Sequence, residues 1–318
     1  MRALVCHHLS PDRSGLKLET DWPDPAPPRA GEVTVAITRA ALNFPDLLML
    51  SGGYQFRPEL PFIPGTEGAG MVIAAGAGAE AFLGQRVIIG ARSGGFADRI
   101  TLPATSVRPV PTGLDDAEAA AFTVGALTAW VGLMTRGRLQ KGERVLVTGA
   151  GGGMGLAAVA LATHEGAEVV AVASSEERLQ TAKAAGAHHG FSVDRANPAI
   201  DLRDIDVVFD PVGGALGLAA LKTLRRGGRH LIIGFVGGVP TMPLNRALLK
   251  EIEVMGVRAG EYARQDPVAG RRHIAAIDER AAALRPHIGA VVPLEGAASL
   301  FTRMADGTLV GKAVVAVS

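Results

Sequence analysis

From Arg144 to Gly155 the chain reads RVLVTGAGGGMG, a β-branched run that ends in a glycine loop and opens into an alanine-rich stretch, Met154 to Glu165. Val145, Leu146 and Val147 predict a buried parallel strand. Gly149, Gly151, Gly152, Gly153 and Gly155, with Ala150 and Met154 among them, let the backbone turn sharply and approach an anion with no side chain in the way. The helix that follows offers its unpaired amides and positive dipole end to the same anion. The chemistry is the binding of a pyrophosphate. In a chain with 41 glycines such a loop could mark a turn and nothing more. Context decides, because roughly twenty residues after Gly155 a second apolar strand, Val169 to Ala173, ends at polar residues, as a βαβ dinucleotide unit requires.

That strand end also bears on which dinucleotide. A site for free ribose hydroxyls usually places Asp or Glu there, and this chain has Ala173, Ser174 and Ser175. Ser174 can donate a hydrogen bond to a 2′-phosphate and Arg178 can supply the charge, so NADPH is expected over NADH. Ser174 with Glu177 also reads as a capping box for the next helix, and both roles can hold at once. Glu176 and Glu177 weaken the positive field. Further along, Gly213 and Gly214 end a fourth strand, and Gly234, Phe235 and Val236 follow a fifth, at the carboxyl edge where such sheets bind ligands. Phe235 reads equally well as a core residue at a strand end. Lys312 carries a charge that could reach a phosphate.

The elements that must position these residues follow from the apolar pattern. From Arg144 onward, strand and helix alternate: Val145 to Thr148, Val169 to Ala173, His189 to Val193, Val207 to Asp210, His230 to Gly234 and Val254 to Val257. This is an α/β pattern, a doubly wound parallel sheet with helices on both faces. The earlier part is β-rich: Arg2 to His7, Glu32 to Ala40, Gly84 to Gly90 and a turn from Ser93 into a strand ending at Pro103, with Pro23, Pro25, Pro27 and Pro28 breaking the chain between the first two. A helical stretch, Asp115 to Met134, joins the parts, with Asp115, Asp116 and Glu118 at its N-terminus and Gly125 as a candidate break. A polar helical segment, Glu261 to Leu284, leads to strands at Ala290 to Val292 and Ala313 to Val317. The expected division is 1–121, 122–261 as the dinucleotide-binding domain, and 262–318 as a return to the first.

Composition narrows the class. With 48% hydrophobic and 20% charged residues, the chain of 318 residues has an ordinary globular balance and length for two domains. A net charge of +1 gives no pull toward nucleic acid or anionic membranes. Cys6 is the only cysteine, which excludes an intrachain disulfide and a cysteine-based zinc cluster. Cys6, His7 and His8 make no ligand set, since neighbours on a strand point to opposite faces. No signal-peptide core stands in Met1 to Ser10 and no unbroken apolar run reads as long enough for a bilayer, so the expected location is cytoplasmic.

Thr148 to Gly155 also fits the TGxxxGxG of short-chain dehydrogenases, but those enzymes use a Tyr with a Lys four residues on, and neither Tyr54 nor Tyr262 has one. Their loop also lies near the N-terminus. Instead NFPD (Asn43 to Asp46), LPFIPGTEGAG (Leu60 to Gly70), GGFAD (Gly94 to Asp98), ALTAW (Ala126 to Trp130), the glycine loop, DVVFDPVGG (Asp206 to Gly214), LLKEIEVMGV (Leu248 to Val257) and GKAVV (Gly311 to Val315) together resemble the medium-chain dehydrogenase/reductase superfamily. Within it the chain is similar, over essentially its whole length, to zinc-free NADPH:quinone oxidoreductases related to zeta-crystallin. It departs from many relatives in having no Tyr near Val193.

The resemblance implies a GroES-like catalytic domain beside a Rossmann domain, and a homodimer. Asn43 and Thr66 stand where zinc-dependent alcohol dehydrogenases carry a Cys and a His, Glu67 remains without a ligand set, and the four cysteines of a structural zinc are missing. Without a metal the acceptor must be electrophilic in itself, a quinone or a small α,β-unsaturated carbonyl. Asn43, Tyr54 and Thr128 are then the residues expected to position acceptor and nicotinamide. Asn43 and Asp46 could instead cap a helix over Leu47 to Leu50, and Tyr54 could be packing in a GGYQF turn. Two other functions fit the same fold: an enoyl-thioester (acyl-CoA) reductase, with Arg57, Arg92, Arg271 and Arg272 as candidates for CoA phosphates, and a non-catalytic, crystallin-like NADPH-binding protein.

Overall fold

Short β-branched runs separated by proline and glycine turns make the first part of the chain into β1 (Ala3–Cys6), β2 (Leu16–Glu19) and the long β3 (Glu32–Ala41). A single helix, α1 (Phe44–Leu50), precedes β4 (Glu67–Ala75), β5 (Arg86–Gly90), β6 (Arg99–Pro103) and β7 (Val107–Pro109). The computed structural model describes residues 1–194 and 197–318. These form two units, Met1–Val124 with His287–Ser318, and Gly125–Pro286.

In the first unit β3 is the spine of the main sheet. Its first half pairs with β6, from Glu32 opposite Pro103, and its whole length pairs antiparallel with β4. Val33, Val35 and Ile37 alternate into the core, where they meet Val72, Val87, Ile89, Phe96 and Phe301. β4 was hidden in the sequence by its composition, EGAGMVIAA. A Cβ on Gly70 would lie 2.1 Å from the Ala36 carbonyl oxygen, so the small residues are what let β4 approach β3.

The second unit opens in α2 (Asp116–Trp130), which passes straight through Gly125 and continues as a π-helical turn, Val131–Arg136. Gly125 is therefore not a break; a Cβ there would sit 3.4 Å from that of Ala157, so it marks a close helix crossing. The 21-residue run Asp116–Arg136 is long and apolar enough to cross a bilayer by length and composition, which corrects the expectation that no such run exists; 56% of its apolar window is buried within the protein.

Then follow β8 (Arg144–Thr148), α3 (Gly153–His164), β9 (Glu168–Ala173), α4 (Glu176–Ala184), β10 (His189–Ser192), β11 (Ile205–Asp210), α5 (Gly214–Thr223), β12 (Leu224–Ile232), α6 (Asn245–Lys250) and β13 (Glu253–Gly256). The six strands are parallel in the order β10-β9-β8-β11-β12-β13. The order reverses between β8 and β11, the point where sheets of this kind bind ligands outside the strands' carboxyl ends.

Two helices, α7 (Ala259–Gln265) and α8 (Pro267–Glu279), pack within the second unit. The guanidinium of Arg280 donates to Glu165 at 2.8 Å and lies 4.7 Å above the Trp130 ring, and His273 bonds Thr135 at 3.2 Å. These ties keep residues 262–286 with the second unit, so the chain leaves it after Pro286 and not at the expected 262. β14 (Ile288–Pro293), α9 (Ala297–Ala305) and β15 (Lys312–Ala316) complete the first unit; β15 pairs antiparallel with the end of β3 and parallel with β14.

Candidate nucleotide site and polar cluster

Gly149 leaves β8 at φ 59°, a conformation that costs glycine nothing, and a Cβ on it would press within 2.9 Å of Val212 Cγ2. Ala150 is anchored by its amide to the Val172 carbonyl at 3.0 Å. Gly152 is the N-cap of α3, and Gly153, Met154 and Gly155 form its first turn, whose amides precede any partner inside the helix. Gly155 is held so tightly against the loop that a Cβ would lie 2.3 Å from the Gly149 carbonyl oxygen. The loop packs too closely for side chains at these positions, and the amides of the first turn of α3 point out of it as an anion-binding helix N-terminus requires.

Arg178 joins this cradle. The space a Gly151 Cβ would fill is taken by Arg178, whose own Cβ is 2.4 Å away. The arginine stem therefore crosses the loop next to the end of β9, with Ser174 half-buried directly after that strand. The expected capping box is corrected by one residue: Ser175 caps α4, its hydroxyl accepting the Arg178 amide at 3.4 Å.

On the other side of the switch point, Gly213 and Gly214 (φ 68° and 53°) turn the chain after β11. The Gly214 amide donates to the Gly238 carbonyl at 2.7 Å and the Gly237 amide to that of Val212 at 2.8 Å, which ties this turn to the loop after β12. Gly234 is half-buried there, while Phe235 and Val236 are exposed. Phe235 is thus a loop residue, not core; its ring edge lies 2.9 Å from where a Gly213 Cβ would be.

Sequence reasoning missed the side chains beneath these loops. Asp210, at the end of β11, accepts hydrogen bonds from Thr148 Oγ1 at 2.5 Å and from the amides of Val212 and Gly213, both at 3.0 Å, and its second oxygen meets His230 Nε2 at 3.2 Å. Burial pushes its carboxyl up, but the bonds from His230 and Thr148 outweigh that and hold it below the usual range. The only sequence signal was an acid closing an apolar strand just before a glycine pair.

In the first unit the polar residues satisfy one another. Lys312, expected at a phosphate, is buried with Nζ donating to Asn43 Oδ1 and Glu67 Oε1, each at 2.7 Å. The Asn43 amide donates to Glu67 Oε1 at 3.0 Å and Thr66 Oγ1 at 3.2 Å, so both its hydrogens are used within the cluster. The second Glu67 oxygen accepts the Val124 amide at 2.8 Å. Asn43 is also the N-cap of α1, where Asp46 accepts its backbone amide at 2.8 Å and that of Gly65 at 3.2 Å. Burial drives the Asp46 carboxyl up to about 7, against those two amides and the Lys312 charge.

Tyr54 is half-buried and packs on the first unit's core, two residues before Phe56, whose ring carries the Arg92 guanidinium at 4.9 Å. Thr128 is half-buried on α2, in the second unit. His7 bonds Glu19 and His8 bonds Ser14, and among the described residues no group of three His, Cys, Asp or Glu side chains is placed to hold a metal ion.

Residues 153–270 match the family model described as zinc-binding dehydrogenase, and residues 29–112 match the alcohol dehydrogenase GroES-like domain. Quinone oxidoreductase-like protein 2 of Bos taurus is 34% identical over 325 residues, covering 99% of this chain and 92% of that protein. The quinone oxidoreductase of Thermus thermophilus, solved alone and with NADPH, is 32% identical, with a TM-score of 0.85 over 100% of both chains. A mycobacterial protein solved with NADPH is 26% identical, with a TM-score of 0.87 and the same full coverage.

Proposed function

The chain belongs to the medium-chain dehydrogenase/reductase family of oxidoreductases, among its quinone oxidoreductase-like members, and on that premise we propose that it is an NADPH-dependent, metal-independent reductase of quinones or small α,β-unsaturated carbonyls. The observation that carries this reading is the glycine cradle crossed by Arg178. Gly149, Gly151 and Gly155 let the loop pack closely on its neighbours while the first amides of α3 stay without intrahelical partners to meet a pyrophosphate, and Arg178 beside Ser174 supplies a charge-assisted bond suited to a 2′-phosphate. NADPH bound there would supply a hydride, and solvent would supply the proton that completes reduction of the acceptor.

The residues at the positions of the zinc ligands support metal independence. Asn43 and Thr66 are neutral, and the carboxylate beside them already holds the Lys312 ammonium at 2.7 Å. A dication there would have to displace that charge and would find no tetrahedral set of N, S or O donors. With no Lewis acid, the acceptor has to delocalise the incoming charge itself. Tyr54 keeps a phenol that would orient such an acceptor, while the Asn43 side chain is spent on Lys312, Glu67 and Thr66.

A thioester acceptor is the second reading, favoured by Arg92 stacked on Phe56 two residues from Tyr54, where a guanidinium could meet a CoA phosphate. A homodimer is also proposed, since Val239, Leu244, Leu248 and Leu249 expose their apolar side chains near the edge strand β13. The deciding experiment follows NADPH oxidation by absorbance against quinones, short enones and enoyl-CoAs, before and after exhaustive chelation. Turnover of a quinone or enone that survives chelation is the expected result. Turnover confined to enoyl-CoA would select the second reading; loss of activity with a stoichiometric zinc would overturn the metal-free one; and no turnover would leave a cofactor-binding protein.

A further inference from the structure

Thr148, Asp210 and His230 meet below the carboxyl edge of the parallel sheet, one from each of β8, β11 and β12, and all three are buried. A carboxylate in such a place is costly unless every lone pair is used. Asp210 is held by four donors: the Thr148 hydroxyl and the Val212 and Gly213 amides on Oδ1, and His230 Nε2 on Oδ2. Gly217 of α5 gives it room, since a Cβ there would lie 2.3 Å from Oδ2. His230 Nδ1 is buried with no partner, so the one hydrogen bond its side chain makes goes to this carboxylate.

A strand end needs no such arrangement, which an apolar residue would provide at less cost. What the carboxylate does is fix loops. By holding the Val212 and Gly213 amides it sets the turn that binds Gly237 and Gly238, and it places Val212 Cγ2 against Gly149. The dinucleotide fold consists of two mononucleotide-binding halves. Gly151 and Arg178 lie on the half built on β8, β9 and β10; the turns governed by Asp210 lie on the half built on β11, β12 and β13.

We infer that Asp210, held by Thr148 and His230, is the positioning residue of the nicotinamide half-site, acting through the 212–214 and 234–238 turns. The inference rests on the dinucleotide reading above and adds a division of labour between the halves. It is tested with Asp210→Ala, Thr148→Val and Thr148→Ser by titrating each with NADPH and with 2′,5′-ADP, which carries the adenosine with its 2′- and 5′-phosphates but lacks the nicotinamide half.

Asp210→Ala is expected to raise the NADPH dissociation constant about tenfold or more and Thr148→Val about threefold, as for loss of hydrogen bonds to a charged group. Thr148→Ser keeps the hydroxyl and should bind like the parent. Binding of 2′,5′-ADP should stay within about twofold throughout, which a general loss of folding would not allow. Should Asp210→Ala fail to fold, the Thr148 pair decides alone, through the dependence of NADPH affinity on the hydroxyl. Equal weakening of both probes, or unchanged NADPH affinity in Thr148→Val, overturns the inference. A parent protein that binds 2′,5′-ADP but not NADPH, or neither, overturns the cofactor reading itself.

Discussion

In the glycine loop after β8 the polar groups are backbone amides and side chains are few, whereas around Lys312 the polar groups are mostly side chains. Gly149, Gly151 and Gly155 each lack the space for one more carbon. Asn43, Glu67 and Lys312, by contrast, have spent their donors and acceptors on each other, and Asp46 has spent its carboxyl oxygens on two backbone amides. The first region is packed so closely that it tolerates no addition; the second is closed on itself and tolerates no removal. The lesson is that a site for an anionic ligand is kept by shape, while a buried charge cluster is kept by mutual compensation.

Removal of Lys312 strains that contrast most. Lys312→Met leaves the Glu67 carboxylate buried without its cation and Asn43 Oδ1 without its donor, and should cost about 3–5 kcal/mol of stability in chemical denaturation. A loss under about 1 kcal/mol would mean that water already reaches the cluster and that it is not closed.

At the glycine loop, Arg178→Ala should weaken NADPH by about 1.5–3 kcal/mol while changing NADH little, because only NADPH carries the 2′-phosphate. The substitution keeps the Cβ that packs on Gly151, so the loop itself should survive. Equal losses for both cofactors in a fluorescence titration would assign Arg178 to packing.

Gly155→Ala adds one methyl where the Gly149 carbonyl oxygen is 2.3 Å away, and should cost about 1–3 kcal/mol through displacement of the loop from α3. Both the melting temperature and the NADPH affinity should fall. An alanine variant with parent affinity would show that the cradle is not rigid.

The effect that is smallest per pH unit sharpens the closed side. Burial raises the Asp46 carboxyl to about 7 from 3.8, so the folded state keeps a proton that the unfolded chain releases. Stability should therefore fall as pH rises from about 4 to about 7 and level off above, with a slope of at most about 1.4 kcal/mol per pH unit. Asp46→Asn should flatten that slope. If the variant and the parent lose stability in parallel between about pH 5 and about pH 6, another group carries the dependence.

By itself the sequence determined the features that a few consecutive residues specify. A β-branched run followed by glycines made the loop after β8 legible, and alternating apolar and helical segments made the six parallel strands legible, because strand propensity and glycine's freedom at φ 59° are local properties. Only the tertiary structure decided the rest. Lys312 meets Asn43 from 269 residues away, and Asp210 meets Thr148 across 62, so no window of sequence shows that these charges are already paired. β4 stayed hidden because its glycines answer to β3 and not to any propensity of their own. Residues 262–286 read as part of the return because their destination is set by Arg280 and His273 finding Glu165, Trp130 and Thr135. Burial is what converts such distant pairs from chance neighbours into fixed structure, since a charge withdrawn from water must find its partner wherever the chain has placed it.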